Sequence, residues 1–256
     1  MINVKPLTHL ELFAGIGGIG IAAERAGFET VGQCEMADYP TKVLEKHWPD
    51  VPRWRDVRDV TAESFRQRTG LRTVDIISAG YPCQTFSVVG KRTGELDLAE
   101  QFIRVVSELR PRWAIGENVG GHVTNGLDDV RSGLEREGYQ TRAFVLPASA
   151  VGAPHERYRV FVVAHSNHKP VLQADPLPLS IRSEWNAWQD ASRGIRGTIS
   201  ESYWTEHQSP ICGVDDGTSD RFYKSRMMAL GNMVVPQQVY PILKAIADIE
   251  RGTECT

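Results

Sequence analysis

The sequence predicts an α/β protein with a mostly parallel sheet, helices on both faces of that sheet, and a small irregular insert. Strand-like and helix-like segments alternate from the start of the chain to about residue 164, which is the order that a parallel sheet requires. Residues 165–221 then lack apolar periodicity and are rich in His, Ser, Asp, Pro and Gly. Helical spacing returns near the carboxyl terminus.

Six segments have the apolar or β-branched composition of buried strands. In chain order they are Leu7–Phe13, Thr30–Glu35, Val74–Ala79, Trp113–Ile115, Thr141–Leu146 and Arg159–Ala164. Open α/β sheets bind their ligands outside the carboxyl ends of the strands. We therefore expect the functional residues to follow these segments along the chain.

Helices are predicted where apolar residues recur three or four positions apart. The clearest case is 97–109, which Pro111 closes. The other predicted helices are Ile19–Ala26, the segment from Leu127 to Gly138, and Pro236–Glu250. The pattern divides the chain into a first domain at 1–164, an insert at 165–221, and a segment at 222–256 that returns to the first domain.

Composition limits the classes of function. The net charge of −3 argues against an indiscriminate nucleic-acid binder, although one cleft can still concentrate positive charge. The four cysteines lack C-x-x-C spacing, and no adjacent ligand pair completes a metal site beside His165 and His168. No apolar run approaches the roughly 18 residues of a membrane helix. We expect a cytoplasmic protein without a metal or a membrane segment.

A glycine-rich loop follows the first predicted strand. The sequence GIGGIG at 15–20 fits the pattern G-x-G-x-x-G between a strand and a helix, where a backbone without side chains lets a ligand approach closely. Glu35 lies about 20 residues further on, where a carboxylate can bind ribose hydroxyls. The pattern alone fits a dinucleotide, S-adenosylmethionine (SAM), or a turn that only requires glycines.

Three other places at the same edge of the sheet carry reactive side chains. Cys83 lies in GYPCQ after the VDIISA strand, and Glu117 with Asn118 follows the strand-like RWAIG. Arg157 and Arg159 lie in PHERYR, at the start of another strand. Taken singly, they have ordinary explanations: an inert cysteine, a capping acid and solvated arginines. Their convergence on one edge favours a shared site.

A thiolate, a carboxylic acid and a SAM site together suit methylation of carbon 5 of a pyrimidine. That carbon becomes nucleophilic when a thiolate adds to carbon 6, and a carboxyl group at ring nitrogen 3 stabilises the charge that develops there. Arginines can hold the base and its sugar-phosphate. Cysteine is suited to the addition because its ordinary pKa, about 8.5, leaves part of it ionised near neutrality.

Five ordered motifs resemble those of the C5-cytosine DNA methyltransferases, especially the compact bacterial and phage members. They are LELFAGIGG at 10–18, GYPCQTFS at 80–87, GENV at 116–119, PHERYR at 154–159 and LGNMVVPQ at 230–237. The resemblance implies the SAM-dependent methyltransferase fold, which is Rossmann-like. It makes 1–164 the catalytic domain and 165–221 the target-recognition insert.

The resemblance also implies a role for each matching position. Cys83 corresponds to the nucleophile, Glu117 to the acid at nitrogen 3, and Arg157 and Arg159 to the arginine pair of the active site. The positions that match the SAM pocket are Phe13, Gly15, Gly17, Gly18, Glu35, Met36, Asp59, Val60, Asn232 and Val234. The expected substrate contacts are Pro82, Gln84, Ser87, Asn118, Lys91 and Arg92.

The predicted substrate is double-stranded DNA, from which the target cytosine must be flipped to expose carbon 6. We expect a monomer without an obligate protein partner, in which the loop Ser87–Leu96 closes over the flipped base. An RNA cytosine methyltransferase on the same scaffold is one alternative. A nicotinamide-dependent oxidoreductase and a catalytically silent DNA-binding relative are two others.

Overall fold

A computed structural model describes residues 6–82, 98–119, 126–153, 157–166 and 233–252. The strands within these ranges are β1 (Leu7–Leu12), β2 (Phe28–Cys34), β3 (Arg53–Trp54), β4 (Ile76–Ala79), β5 (Trp113–Val119), β6 (Tyr139–Leu146) and β7 (Arg159–Ser166). The helices are α1 (Gly18–Arg25), α2 (Asp38–His47), α3 (Ala62–Thr69), α4 (Leu98–Leu109), α5 (Leu127–Arg136) and α6 (Pro236–Arg251). None of these helices is long and apolar enough to span a membrane.

All seven strands belong to one sheet, in the order β3-β2-β1-β4-β5-β7-β6. Strands β1 to β5 are parallel, and β7 is antiparallel to both of its neighbours, β5 and β6. The predicted α/β class with a mostly parallel sheet is confirmed. The chain order reverses between β1 and β4, so the carboxyl ends of these two strands border the crevice where such sheets bind ligands.

Two apolar clusters cover the two faces of the sheet. Neighbouring residues of β4 show the division, since Ile77 belongs to the cluster with α3, α4 and α5, whereas Ile76 belongs to the cluster with α1 and α6. Successive side chains of a strand point to opposite faces, so a buried strand must be apolar at nearly every position. This explains the unbroken apolar run that identified β4 in the sequence.

Three elements were absent from the sequence-based prediction: α2, α3 and β3. Helix α2 buries only Thr41 and Leu44, and α3 buries only Phe65, so neither shows a repeated apolar face. Strand β3 has only two residues. The prediction also ended β5 at Ile115, whereas the strand continues to Val119. Glu117 therefore lies within the strand, near its carboxyl end, and not in a loop after it.

The carboxyl-terminal helix α6 is attached to the amino end of β5 by a buried carboxylate. The Glu250 side chain is only 2% exposed and forms an ion pair of 2.5 Å with Arg112. The same carboxylate accepts a hydrogen bond of 2.8 Å from the indole nitrogen of Trp113. Because the opposite end of α6 lies beside the glycine loop, this attachment also fixes one wall of the site.

Replacing Glu250 by Ala should lower the free energy of unfolding by about 1–3 kcal/mol, since the buried Trp113 N–H loses its acceptor. Urea denaturation followed by circular dichroism measures this change. Glu100→Ala, at an exposed position of α4, is the matched control and should change stability by less than about 0.5 kcal/mol. Equal effects of the two substitutions would contradict the attachment.

Candidate active site

The predicted site residues lie where the strands of the sheet end or, for Arg159, begin. The glycine loop follows β1, Glu35 follows β2, and Tyr81 and Pro82 follow β4. Glu117 and Asn118 are near the carboxyl end of β5, and Arg159 begins the antiparallel strand β7. One edge of the sheet therefore carries a loop of glycines, two carboxylates and an arginine.

The glycine loop reverses direction through left-handed backbone conformations. Phe13, Gly15 and Gly17 have φ angles of 53°, 55° and 86°. A Cβ on Gly17 would lie 2.5 Å from the Trp48 ring, whereas a Cβ on Gly15 would have no atom within 4 Å. Gly17 is therefore required for internal packing, and Gly15 borders open space in which a ligand can approach the backbone.

The carboxylate of Glu35 holds this loop against the end of β2. One oxygen accepts a hydrogen bond of 2.8 Å from the Gly15 amide, and the other accepts one of 2.8 Å from the Ala37 amide. A carboxylate has about four acceptor positions, so both oxygens can still accept hydrogen bonds from a bound molecule. Met36, the residue after Glu35, is 61% exposed. Glu35 is thus placed to bind hydroxyl groups at the open side of the loop.

Asp59 and Val60 lie in and after a short 3-10 turn that follows β3. Asp59 is exposed and Val60 is buried. Burial, together with the negative charges of Glu35, Asp56 and Asp59, raises the pKa of the nearby Cys34 thiol to about 12. The turn thus places Asp59 beside the end of β2, and it leaves Cys34 as a neutral, buried thiol.

The segment before α6 packs directly against the glycine loop. A Cβ on Gly18 would lie 2.8 Å from both Cγ of Met233 and the carbonyl oxygen of Val234. Val234 is buried and joins the apolar cluster of α1 and α6. The structure therefore brings Val234 next to Gly18, and Asn232 lies outside the described residues.

Glu117 and Arg159 form a buried ion pair. The Arg159 Nε is 2.7 Å from Oε1 of Glu117, and the side chains of Arg159 and Glu117 are only 11% and 10% exposed. Burial raises the pKa of Glu117 to about 7, against the opposing effects of the Arg159 and Arg157 charges and of the Arg159 hydrogen bond. A carboxyl with this pKa is about half protonated near neutral pH, so it can donate a hydrogen bond as well as accept one.

The side chain of Asn118 forms two hydrogen bonds with the backbone of the protein. Its side-chain nitrogen donates to the Tyr81 carbonyl at 3.2 Å, and its side-chain oxygen accepts from the Val119 amide at 2.8 Å. Asn118 thereby connects the end of β5 to the residue before Pro82. Its contact with substrate stays a prediction.

Arg157 lies just before β7 with a left-handed backbone, φ 31°. Its Nη2 donates to the Met233 carbonyl at 2.9 Å. Burial lowers the pKa of Arg157, and the neighbouring Arg159 charge lowers it further. Arg157 therefore connects the residues beside Glu117 to the segment that packs on Gly18.

Several predicted site residues lie outside the described ranges. They are the nucleophile Cys83, the substrate contacts Gln84, Ser87, Lys91 and Arg92, the cofactor residue Asn232, and nearly all of the 165–221 insert. Pro82 is the last described residue before Cys83 and is exposed. Roles assigned to these residues stay predictions.

The sequence-based prediction missed Glu11, a buried acid next to the carboxyl end of β1. Its Oε1 accepts a hydrogen bond of 3.0 Å from the Gly20 amide, so it supports the first turn of α1 behind the glycine loop. Burial raises its pKa to about 8. A Cβ on Gly20 would lie 2.7 Å from Oε2 of Glu11, so this glycine makes room for the acid. The available signal was a charged residue between the two leucines Leu10 and Leu12 of a predicted buried strand.

Comparison with known proteins agrees with this arrangement. Residues 7–209 match the family model described as C-5 cytosine-specific DNA methylase. The Type II methyltransferase M.XorII of Xanthomonas oryzae is 33% identical over 182 residues, covering 66% of this chain and 42% of the relative. M.HhaI of Haemophilus parahaemolyticus is 31% identical over 180 residues, covering 65% of this chain and 53% of the relative. The chain spans about half the length of these curated relatives.

A solved structure shares this fold. A mutant of DNMT2 from Spodoptera frugiperda superposes with a TM-score of 0.55 at 16% sequence identity, covering 96% of this chain and 98% of that protein. Identity at this level supports the fold alone. Because the family model extends over residues 7–209, which is most of the 256-residue sequence, the chain belongs to the C-5 cytosine-specific DNA methylases.

Proposed function

We propose that this chain transfers a methyl group from SAM to carbon 5 of a flipped cytosine in double-stranded DNA. The observation that carries the proposal is the buried Glu117–Arg159 pair. Attack at carbon 6 of cytosine pushes negative charge onto ring nitrogen 3, which an acid must neutralise there. Glu117, with its pKa raised to about 7, supplies that acid near neutral pH.

The nucleophile of the proposed reaction is Cys83. Its thiolate forms a bond to carbon 6 while nitrogen 3 takes the proton of Glu117, which leaves an enamine whose carbon 5 is nucleophilic. Carbon 5 then takes the methyl group. Loss of the carbon 5 proton to a base, return of the nitrogen 3 proton to Glu117 and cleavage of the bond between sulfur and carbon 6 then restore the aromatic ring, the acid and the free cysteine. The order of Tyr81, Pro82 and Cys83 along the chain supports this role, because Asn118 connects Tyr81 to the strand of Glu117.

SAM supplies a methyl group activated by its sulfonium charge. The residues present fit this molecule, because Gly15 borders open space and the Glu35 carboxylate lies beside it with acceptor positions for two ribose hydroxyls. Around them we place Phe13, Gly17 and Gly18 at the loop. Met36, Asp59, Val60, Asn232 and Val234 complete the proposed pocket.

DNA binding and base flipping belong to the proposal as well. Lys91 and Arg92 are proposed to meet phosphate when the loop 87–96 closes over the flipped base, and Pro82, Gln84, Ser87 and Asn118 are proposed to line the base pocket. Arg157 and Arg159 hold the base and its sugar-phosphate. The 165–221 insert reads the recognised sequence, and 1–164 with 222–256 forms the catalytic unit.

The covalent step is tested directly with duplex DNA that carries 5-fluorocytosine at the target. Fluorine at carbon 5 cannot leave as a proton does, so the wild-type protein with SAM should form an adduct that survives denaturing gel electrophoresis. The target is first found by bisulfite sequencing of DNA from cells that express the protein. Cys83→Ser should form no adduct, and an undiminished adduct in that variant would refute the assignment. Methyl transfer to tRNA and not to DNA would favour the RNA alternative.

Glu117→Gln should lower kcat for DNA methylation by at least about 100-fold, because an amide cannot give its proton to nitrogen 3. In the wild type, the acid is lost as the pH rises through about 7, so a descending limb of kcat is expected there. The variant should lack this limb. Single-turnover rates between about pH 5.5 and 9 provide the measurement, and an unchanged limb in Glu117→Gln would assign it to another group.

Glu35→Ala should weaken SAM binding by about tenfold or more, because two acceptors and the support of the Gly15 amide are lost together. Isothermal titration calorimetry measures the dissociation constant without any need for DNA. The control is Glu29→Ala, an exposed position at the opposite end of the same strand, which should leave SAM binding unchanged. Wild-type affinity in Glu35→Ala would remove this residue from the cofactor site.

A further inference from the structure

Gln238 is a polar residue buried in an apolar environment. It lies in the first turn of α6, between residues that pack against α1, and its side chain is fully buried. Its Nε2 donates two hydrogen bonds, of 2.8 Å to the Leu146 carbonyl and of 3.1 Å to the Arg157 carbonyl. Its Oε1 has no hydrogen-bond partner among the described residues. A fully buried amide used only as a double donor requires an explanation.

The two acceptors lie on either side of the connection that delivers the active-site arginines. Leu146 is the last residue of β6 and pairs with Arg159, the first residue of β7. Arg157 comes two residues earlier. The single amide of Gln238 therefore holds the point where the chain leaves β6 and the point where it approaches β7.

Arg157 needs such support, because its φ of 31° is unfavourable for a residue with a side chain. Strained backbone persists only where surrounding contacts hold it in place. The Arg157 carbonyl is held by Gln238, and its guanidinium donates to the Met233 carbonyl at 2.9 Å. One hydrogen bond is donated from α6 to Arg157, and the other is donated from Arg157 to the segment before α6. Together they hold Arg157 against this part of the chain at both its backbone and its side chain.

We propose that Gln238 is a positioning residue for the methyl transfer, which fixes the Arg157 backbone and thereby the place of the Arg157 charge relative to Glu117. This inference rests on the proposed function. The positioning role differs from a purely structural one in one respect, because it makes the electrostatics around Glu117 depend on an amide in helix α6. If Gln238 served only packing, any side chain of similar volume at position 238 would replace it.

The pKa of Glu117 reports the position of the Arg157 charge. Among the described residues, Arg159 on β7 and Arg157 just before it are the charged groups that lower the pKa of this buried carboxyl. When Gln238 no longer holds the Arg157 carbonyl, the Arg157 charge moves away and one lowering contribution is lost. The pKa of Glu117 should then rise further above about 7.

The main test compares Gln238→Met with Gln237→Met. Both substitutions remove an amide from the same helix and keep the side-chain length, but Gln237 is only half-buried and borders a groove with Arg25 and Tyr240. Gln238→Met should lower kcat for DNA methylation by about tenfold and leave the dissociation constant of SAM within about threefold. Gln237→Met should behave as the wild type. A wild-type kcat in folded Gln238→Met overturns the proposal.

A double-mutant cycle separates positioning from general damage. In the Arg157→Ala background, Gln238→Met should cause little further loss of kcat, because its effect is exerted through Arg157. If the fold-losses of kcat from the two single substitutions multiply in the double variant, the proposal is overturned. Should Gln238→Met fail to fold, Gln238→Asn replaces it, since the shorter amide cannot reach both carbonyls. A folded Gln238→Asn with wild-type kcat overturns the proposal equally.

Infrared titration tests the inference without catalysis. The carboxyl band of Glu117, identified by its absence in Glu117→Gln, should have a midpoint on the order of half a pH unit higher in Gln238→Met than in the wild type. An unchanged midpoint overturns the inference, whatever the activity. If the wild-type protein methylates no cytosine in DNA, the proposed function is refuted. A shifted midpoint in Gln238→Met would still support the positioning of Arg157 by Gln238.

Discussion

The buried pair of Glu117 and Arg159 is the interaction on which the site depends. In the antiparallel register, Val119 faces Arg159, and Glu117 lies on the same side of β5 as Val119, so the two charged side chains meet diagonally across the strands. Burial outweighs the arginine charges and raises the pKa of Glu117 to about 7. The stability linked to its proton is fully present below about pH 4.5 and is lost as the pH rises through about 7. The antiparallel register of β5 and β7 brings Arg159 to this carboxyl, and burial of the carboxyl raises its pKa in spite of that charge.

A second set of contacts joins this pair to the glycine loop. Arg157 donates a hydrogen bond to the Met233 carbonyl, and the carbonyl oxygen of the next residue, Val234, is only 2.8 Å from where a Cβ on Gly18 would lie. The loop is held on its other sides by Glu35 and, through Gly20, by Glu11. The proposed base pocket and the proposed cofactor pocket therefore share one wall, which is the segment before α6. Displacement of that wall should affect both pockets together.

The sequence alone predicts two kinds of feature: elements with a continuous or regularly spaced apolar pattern, and loops that require a particular residue type. Strand β4 was found because both of its faces are buried, and the glycine loop because left-handed backbone favours glycine. Helices α2 and α3 were missed because they bury one or two side chains each. Glu117 and Arg159 were placed on one edge, but their direct contact depends on the register of β5 and β7, which no local pattern contains. Gln238 was missed for the same reason, since its partners are distant in sequence.

The geometry of the pair also distinguishes the two oxygens of Glu117. Oε1 is occupied by Arg159, whereas a Cβ on Gly80 would lie 3.2 Å from Oε2, so this oxygen lies toward the end of β4. A positive charge beside Oε1 favours the proton on the other oxygen. The protonated oxygen then lies at the end of β4, from which the chain continues through Tyr81 and Pro82 toward Cys83. Because Gly80 carries no Cβ, its side does not crowd Oε2, from which a Cβ at this position would lie only 3.2 Å away.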